Sequence, residues 1–455
     1  MPQLGMHPGR LAVMPLLALA LGSLGVAQQP PAKPKLPAAE ATRFRQLLAD
    51  AWLSPSPKRH QDVLTRSKQL GERHDLDSLL AALAQGPVRP KGEPKARKVG
   101  KQPESLERFG TTVTGFTFQH GDETFRYAID FPPGYDGSRA HPLLLDPGHG
   151  IGKGKSPQEK ADFLPFFRAA ATGAGLPDAL VVRTEILEQI GAGGQRGEQP
   201  DDTIVAAFAA CLRDVVVRCH VDLDRIVVAG LSMTGYWSWQ LGAARADRLL
   251  GVAPMGAVTW QVREYLPNFL QLRVAVMHGD QDAVCPVAQP RQTTQDLTAA
   301  GVTVRYDEIA GAGHDGKVWS RLGDSLRWLH EGARVHWPKR VQKNLQTLAD
   351  PWCYWLRLDA LQTTGSGKGG AKPTATVRGE VSAQTIALEG SGITRLTVYL
   401  HPELLDLQQP ITVTWNGKTV HRGRVERSFV AATERVLERA DWGTVAEAAL
   451  HLDVR

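Results

Sequence analysis

Asp224-Arg225-Ile226-Val227-Val228-Ala229-Gly230-Leu231-Ser232-Met233-Thr234-Gly235 is the stretch on which the reading of this chain turns. Ile226 to Ala229 is a short apolar run of the kind buried in a parallel sheet, and it ends abruptly at a serine flanked by glycines. This pattern predicts a strand that delivers Ser232 to a tight strand-to-helix turn with its Oγ exposed, a nucleophile elbow. The usual G-x-S-x-G would place glycine where Thr234 stands, so the motif is G-x-S-x-T followed by Gly235. A chemical role for Ser232 therefore needs partners elsewhere in the chain.

Outward from this turn, short apolar strands alternate with helices. Val113, Gly115, Thr117 and then Tyr127, Ile129, Phe131 predict a strand pair turning at His120-Gly121-Asp122. Strands follow at Leu143 to Leu145, Leu180 to Arg183, Gly251 to Pro254, Val274 to Met277 and Val304 to Tyr306. Helices are predicted over Gln158 to Thr172, Thr203 to Arg218 behind an Asp201 or Asp202 cap, Val287 to Ala299 and Val318 to Leu329. The alternation implies an α/β fold over residues 106–336, a mostly parallel sheet with helices on both faces. In such folds the reacting groups sit on loops at the carboxyl ends of the strands.

Both flanks read differently. Phe44, Leu47, Leu48, Ala51 and Trp52, continued by Val63, Leu64, Leu79, Leu80 and Leu83, predict a small helical module over 38–86. Residues 87–105, rich in Pro, Gly and Lys, read as a solvated linker. Lys91, Lys95, Arg97 and Lys98 lack the interleaved aromatics of a nucleic-acid surface, so no nucleic-acid partner is expected. From 337 to 455 short strands predict a β-rich accessory domain with a hairpin at Asn416-Gly417 and a helix over Phe429 to Arg439. Its Trp352, Tyr354, Trp355 and Trp415 are either core residues, the commoner role, or a platform for carbohydrate contact.

The chain has 455 residues, enough for about two or three domains, and a formal net charge of +6. Arg10 precedes the apolar run Leu11 to Val26, and Gly25-Val26-Ala27 offers a cleavage site, so residues 1–27 read as a signal peptide. A secreted or periplasmic protein follows, with no stable membrane insertion after cleavage, since the run is short and broken by Pro15 and Gly22. Cys211, Cys219, Cys285 and Cys353 are too few for a disulfide scaffold. The first two would lie about 12 Å apart along one helix, too far to bridge, which leaves room for a single unassigned disulfide. Gly148 to Ser156 approaches a phosphate-binding loop, but G-x-x-x-x-G-K-S would need glycine at position 149, which is His. Gly191-Ala192-Gly193-Gly194 lacks the strand and acidic partner of a dinucleotide fingerprint and reads as a loop near the site's rim. His330-Glu331 and His336 do not make H-E-x-x-H, so neither a metal site nor a cofactor is predicted.

A serine hydroxyl needs an imidazole to take its proton, and the imidazole needs a carboxylate to hold its tautomer. His278-Gly279-Asp280-Gln281-Asp282 follows the strand Val274 to Met277, and Gly311-Ala312-Gly313-His314-Asp315 follows the next one. The order Ser, Asp, His is that of one fold's solution to triad chemistry.

With Pro132-Pro133-Gly134-Tyr135-Asp136, Pro142-Leu143-Leu144-Leu145, Gly230 to Gly235, His278 to Asp282 and Gly313-His314, the chain resembles the α/β-hydrolase superfamily. Within it, the resemblance runs to secreted polyhydroxybutyrate-depolymerase and feruloyl-esterase types and to prolyl-oligopeptidase-like peptidases. It covers roughly Phe109 to His336. It implies Ser232 as nucleophile, His314 as general base and acid, and Asp282 as orienting carboxylate, with Asp280 and Asp315 as alternatives for that last role. It also implies an oxyanion hole from the N–H of Met233 and that of Gly150 or Ile151. Where relatives read L-H-G-x-G, this chain has Leu145-Asp146-Pro147-Gly148-His149-Gly150. The implied activity is a carboxylesterase acting on small-molecule or polymeric extracellular esters, with a peptidase or a catalytically silent scaffold as alternatives.

Overall fold

Apolar residues at helical spacing fold as α1 (Ala38–Leu53), α2 (Pro57–Arg73) and α3 (Leu76–Ala84), and Ser56 and Asp75 cap α2 and α3 by accepting the N–H of Arg59 and Ser78. The computed structural model describes residues 32–54, 56–89, 91–100, 102–148, 156–190, 202–260, 262–362 and 374–455. The apolar run read as a signal peptide, the stretch 191–194, and Gly150 and Ile151 lie outside them.

The segment read as a solvated linker is moored to the body. Lys91, Lys95 and Lys98 are exposed, but Pro94, Val99 and Glu104 are buried around a two-stranded ribbon of β1 (Lys98–Val99) and β2 (Gln102–Pro103). Glu104 accepts the Arg218 guanidinium at 2.6 Å and the Thr117 N–H at 2.8 Å, while Arg97 pairs with Asp214. Charge counting missed this because the partners are remote in sequence.

The central sheet is built from β3 (Glu107–Phe109), β4 (Thr112–His120), β5 (Glu123–Asp130), β6 (His141–Asp146), β7 (Leu180–Thr184), β8 (Val221–Leu231), β9 (Gly251–Met255), β10 (Arg273–Gly279) and β11 (Thr303–Ile309). Its order is β11-β10-β9-β8-β6-β7-β5-β4-β3, antiparallel from β3 to β7 and parallel from β7 to β11. A register shift between Val113 and Phe116 turns β4 over, so Phe116 and Phe118 face the core rather than Gly115 and Thr117.

Helices cover both faces. The predicted helix at 158–172 is split into α4 (Pro157–Ala161) and α5 (Leu164–Gly173), because Pro165 suits a first turn but not a helix interior. Next come α6 (Ile186–Ile190), α7 (Asp202–Arg218), α8 (Met233–Arg245), α9 (Ala288–Ala299) and α10 (Leu322–His330). Strand alternation assigns the layers: Leu143, Leu145, Ile226 and Val228 pack toward α7 and α8, whereas Leu144, Val227 and Ala229 pack toward α5 and α10.

Beyond residue 337 two sheets share one core. β12 (Arg340–Leu345), β13 (Trp352–Cys353), β14 (Leu356–Leu361), β15 (Ala375–Ser382), β16 (Thr385–Ser391), β17 (Ile393–Leu400), β18 (Ile411–Trp415), β19 (Lys418–Gly423) and β20 (Ala448–Asp453) form the orders β12-β15-β16-β18-β19 and β13-β14-β17-β20. Trp352, Tyr354, Trp355 and Trp415 are only 5%, 5%, 0% and 8% exposed, so these four side chains are core and present no stacking platform. The four cysteines are all buried and unpaired. Among the described residues no helix is long and apolar enough to cross a membrane.

α11 (Phe429–Arg439) turns away from these strands to join the N-terminal helices. Phe44 meets Phe429 at 5.4 Å between ring centroids, and the Trp52 Nε1–H donates to the Leu437 carbonyl at 2.8 Å. Residues 34–455 accordingly form one compact unit. Just past α11, the fully buried Asp441 receives Arg248, Arg334 and Arg439. Burial pushes its carboxyl up, but the three guanidinium groups overcome this and hold it well below the usual range.

A carboxylate with a depressed native pKa stabilises the fold above its ordinary range, and that contribution fades as pH falls toward the native value. Asp441→Asn takes from the buried Arg248 the carboxylate it pairs with, while Arg439 and Arg334 keep Asp247 and Asp224, and is expected to cost about 3–5 kcal/mol in urea unfolding at pH 7. The gap to wild type should narrow below about pH 4. A loss under about 1 kcal/mol at pH 7 would mean that the arginines are held by other means.

Candidate active site

This sheet, antiparallel at one edge and parallel from β7 to β11 with helices on both faces, makes the body an α/β-hydrolase fold, and its reacting groups belong where the parallel strands end. β8 delivers Ser232 to the first turn of α8 with φ 59° and ψ −117°. A non-glycine residue in that region is strained by roughly 1–3 kcal/mol. Its backbone is clamped on both sides: the Ser232 N–H donates to the Met255 carbonyl at 2.9 Å, and the Tyr236 N–H donates to the Ser232 carbonyl at 2.8 Å.

The Thr234 departure has a local explanation. Its side chain is buried, and its hydroxyl donates to the Leu231 carbonyl at 3.0 Å. The position that tolerates no side chain is the next one, since a Cβ on Gly235 would stand 2.6 Å from the Met255 carbonyl oxygen. The glycine requirement has thus moved one residue along the helix.

The loops after β10 and β11 bring the other predicted residues to Ser232. The His314 Nδ1–H donates to Asp282 Oδ2 at 2.8 Å, which leaves Nε2 to accept the Ser232 hydroxyl at 2.8 Å. Asp282 Oδ1 accepts the N–H of Val284 at 2.9 Å and of Cys285 at 2.7 Å. Burial raises this carboxyl, but the Cys285 amide and His314 outweigh that and leave it below its ordinary value. His278 is fully buried and donates Nε2–H to the Cys285 carbonyl at 2.7 Å. Burial lowers its pKa.

Asp280 and Asp315, the alternatives for the carboxylate, do other work. Asp280 accepts the Gly311 N–H at 2.8 Å, and Asp315 accepts those of Gly313 and Lys317 at 3.3 and 2.8 Å. Both therefore shape the loop that carries His314. Met233 opens α8, so its N–H has no acceptor one turn back along the helix, and it lines the same pocket as Ser232. Gly150 and Ile151 stand outside the described residues.

A pocket of about 230 Å³ opens over Ser232, walled by Phe163, Trp319 and Leu231 and floored by Asp146 and Arg183. Sequence reasoning missed that floor. Asp146 and Arg183 end two neighbouring parallel strands in register, where they form a buried ion pair. Burial raises the Asp146 carboxyl against the pull of Arg183. The one signal was a charge of each sign closing two adjacent apolar strands. Asp146 Oδ1 also accepts the Gly148 N–H at 3.1 Å, and the Thr184 hydroxyl donates to the Pro147 carbonyl at 2.6 Å, so the irregular loop is tied down as far as Gly148. Another cavity, about 60 Å³, lies away from Ser232 beside Gln240 and Lys343.

Three atoms of metal-donor type also meet here. Asp282, Cys285 and His314 each offer one donor within 4.8 Å of the others. No spacing motif announces this, because the residues belong to two loops joined by the fold.

Among solved structures the chain is similar to a thermostable esterase at 19% identity, over 49% of this chain and 64% of that one, with a TM-score of 0.41. It is similar to a ferulic acid esterase of the anaerobic fungus Anaeromyces mucronatus at 15% identity, over 50% and 90%, with a TM-score of 0.36. An acylaminoacyl peptidase shares 14% identity over 48% and 41%, also at 0.36. The matched part spans less than two thirds of the first esterase and of the peptidase. No family model and no curated protein matches the sequence.

Gly279, at the end of β10, is where the two loops touch. A Cβ there would meet the carbonyl oxygens of Ala312 and Gly313 at 2.3 and 2.6 Å. Gly279→Ala is therefore expected to push the His314 loop off Asp282, at about 1–3 kcal/mol of stability. Proton NMR should show the low-field imidazole N–H resonance of wild type and its loss in the variant. An unchanged resonance would mean that the loops are not in contact through Gly279.

Proposed function

We propose that this chain is a serine hydrolase that cleaves carboxylic esters through an acyl-enzyme. The observation that carries the reading is the unbroken relay from Asp282 through His314 to Ser232, with both links at 2.8 Å and the serine held at positive φ. In this reading the Ser232 oxygen attacks the ester carbonyl while His314 Nε2 takes its proton. That proton then passes to the departing alkoxide, and water attacks the acyl group by the same route in reverse. Asp282 keeps the imidazole in the tautomer whose Nε2 is free to accept. The Met233 N–H would face the developing oxyanion.

Ester rather than peptide cleavage is favoured by the pocket. Its walls are Leu231, Phe163 and Trp319, and its carboxylate, Asp146, is occupied by Arg183. Nothing among its described lining residues offers a free acid to anchor a peptide's amino terminus. A neutral acyl chain fits these surroundings better. Export of the mature chain belongs to the same proposal and is supported by the apolar run Leu11 to Val26.

A fluorophosphonate probe should label wild type and not Ser232→Ala, and short acyl esters should be cleaved faster than a prolyl peptide. Asp282→Asn should lower kcat by about 10⁴-fold through the wrong imidazole tautomer. Absence of Ser232-dependent labelling would instead favour a silent scaffold, and faster peptide cleavage would favour a peptidase.

A further inference from the structure

We propose that Asp282, Cys285 and His314 form a binding site for a thiophilic divalent cation, zinc foremost, and that its occupancy switches the hydrolase off. The inhibitory consequence rests on the proposed function of Ser232; the binding site does not.

The donor set is oxygen, sulfur and nitrogen, the three types that zinc accepts, and the three atoms converge within 4.8 Å. Zinc bonds of about 2.0–2.3 Å place neighbouring donors in a tetrahedral site roughly 3.5 Å apart, so closure needs a movement of about an ångström. A fourth position would be left for water.

The main chain around Cys285 is pinned for such a role. Its N–H is held on Asp282 Oδ1 at 2.7 Å, and its carbonyl takes the Nε2–H of the buried His278 at 2.7 Å. The sulfur is buried and in no disulfide. Access is short, because Val284, one residue away, is 61% exposed and the His314 side chain 20%. Supporting contacts of this kind orient metal ligands and are part of their affinity.

The effect on chemistry follows from the tautomer. Nδ1 is the imidazole nitrogen that faces Asp282. A cation that takes the Nδ1 lone pair leaves the one proton of the neutral ring on Nε2. The nitrogen that must accept the Ser232 proton then becomes a donor. Binding also displaces one proton from the Cys285 thiol to solvent, and no oxidation state changes.

Cys285→Ala tests this without touching the relay, since it removes the sulfur and keeps the backbone N–H that Asp282 accepts. Zinc chloride titrated calorimetrically into the full chain should show one site in wild type. The variant should bind more weakly by more than the roughly 10–100-fold that losing a supporting contact costs. Cobalt(II) should give wild type a thiolate charge-transfer band that the variant lacks. Zinc should block fluorophosphonate labelling of wild type reversibly on chelation, while the variant labels equally with and without zinc. Cys285→Ser and a thermal melt of each variant show whether the fold is kept. Equal zinc affinity and cobalt spectra in wild type and a folded variant would overturn the proposal, as would absence of binding to wild type. A chain that binds zinc through Cys285 but never labels at Ser232 would retain the site and lose the proposed function.

Discussion

Asp441 is the point on which the assembly turns. Three guanidinium groups removed from water would each cost several kcal/mol without a counter-ion; Asp441 pairs with all three, the buried Asp247 also holds Arg439 at 2.6 Å, and Asp224 reaches Arg334 at 3.4 Å. Arg248 lies just past the carboxyl end of α8, Arg334 just past α10, and Arg439 on α11. The helix that begins at Ser232 is therefore followed within a turn by a residue of this cluster. α8 spans 13 residues, about 20 Å, with Ser232 at one end and the ion cluster near the other. Its far end is thus tied down by ion pairs remote from Ser232.

The same arrangement removes any sharp distinction between the α/β body and its flanks. α11 belongs in sequence to the β-rich part, yet it packs with α1, α2 and α3. Arg435 on that helix is fully buried, with Trp337, Trp352 and Tyr399 rings 5.1, 5.1 and 5.2 Å from its guanidinium. Burial pushes its pKa down to about 9, and the ring faces and the carbonyls of Thr444 and Tyr354 replace part of the lost hydration. This box explains why the C-terminal part is rich in tryptophan without exposing it. The aromatic rings solvate a cation that joins the sheets to the helices.

How much of this could be read from sequence follows from the range of the interactions involved. The alternation of strand and helix was legible because apolar runs and periodicity are local, and so was the hairpin at Asn416-Gly417, where both residues adopt positive φ. The order of Ser232, Asp282 and His314 was legible because each follows its own strand. The anchoring of Arg97 and Glu104 was not, because their partners Asp214 and Arg218 are more than a hundred residues away. β12 was not legible because its sequence Arg340-Val-Gln-Lys-Asn-Leu345 is mostly polar, with a buried Lys343 that gives its three donors to the carbonyls of Ala244, Asp350 and Trp352. The bulge in β4 inverted a face that simple alternation had assigned.

Thr234 and the strained serine have one explanation between them. Leu231 ends β8 just before the turn into α8, and its carbonyl accepts the Thr234 hydroxyl there. Glycine at position 234 would remove that donor. Threonine instead supplies a donor at 3.0 Å, while Gly235 provides the clearance against Met255. Met255 in turn accepts the Ser232 N–H, so the close approach of α8 to β9 and the positive φ of Ser232 are held by the same carbonyl. A bulkier residue at 235 would break both, whereas the branched side chain at 234 reinforces the turn. The departure from the usual glycine is thus compatible with an intact elbow, and the relay through His314 and Asp282 meets a serine oxygen that this turn holds in place.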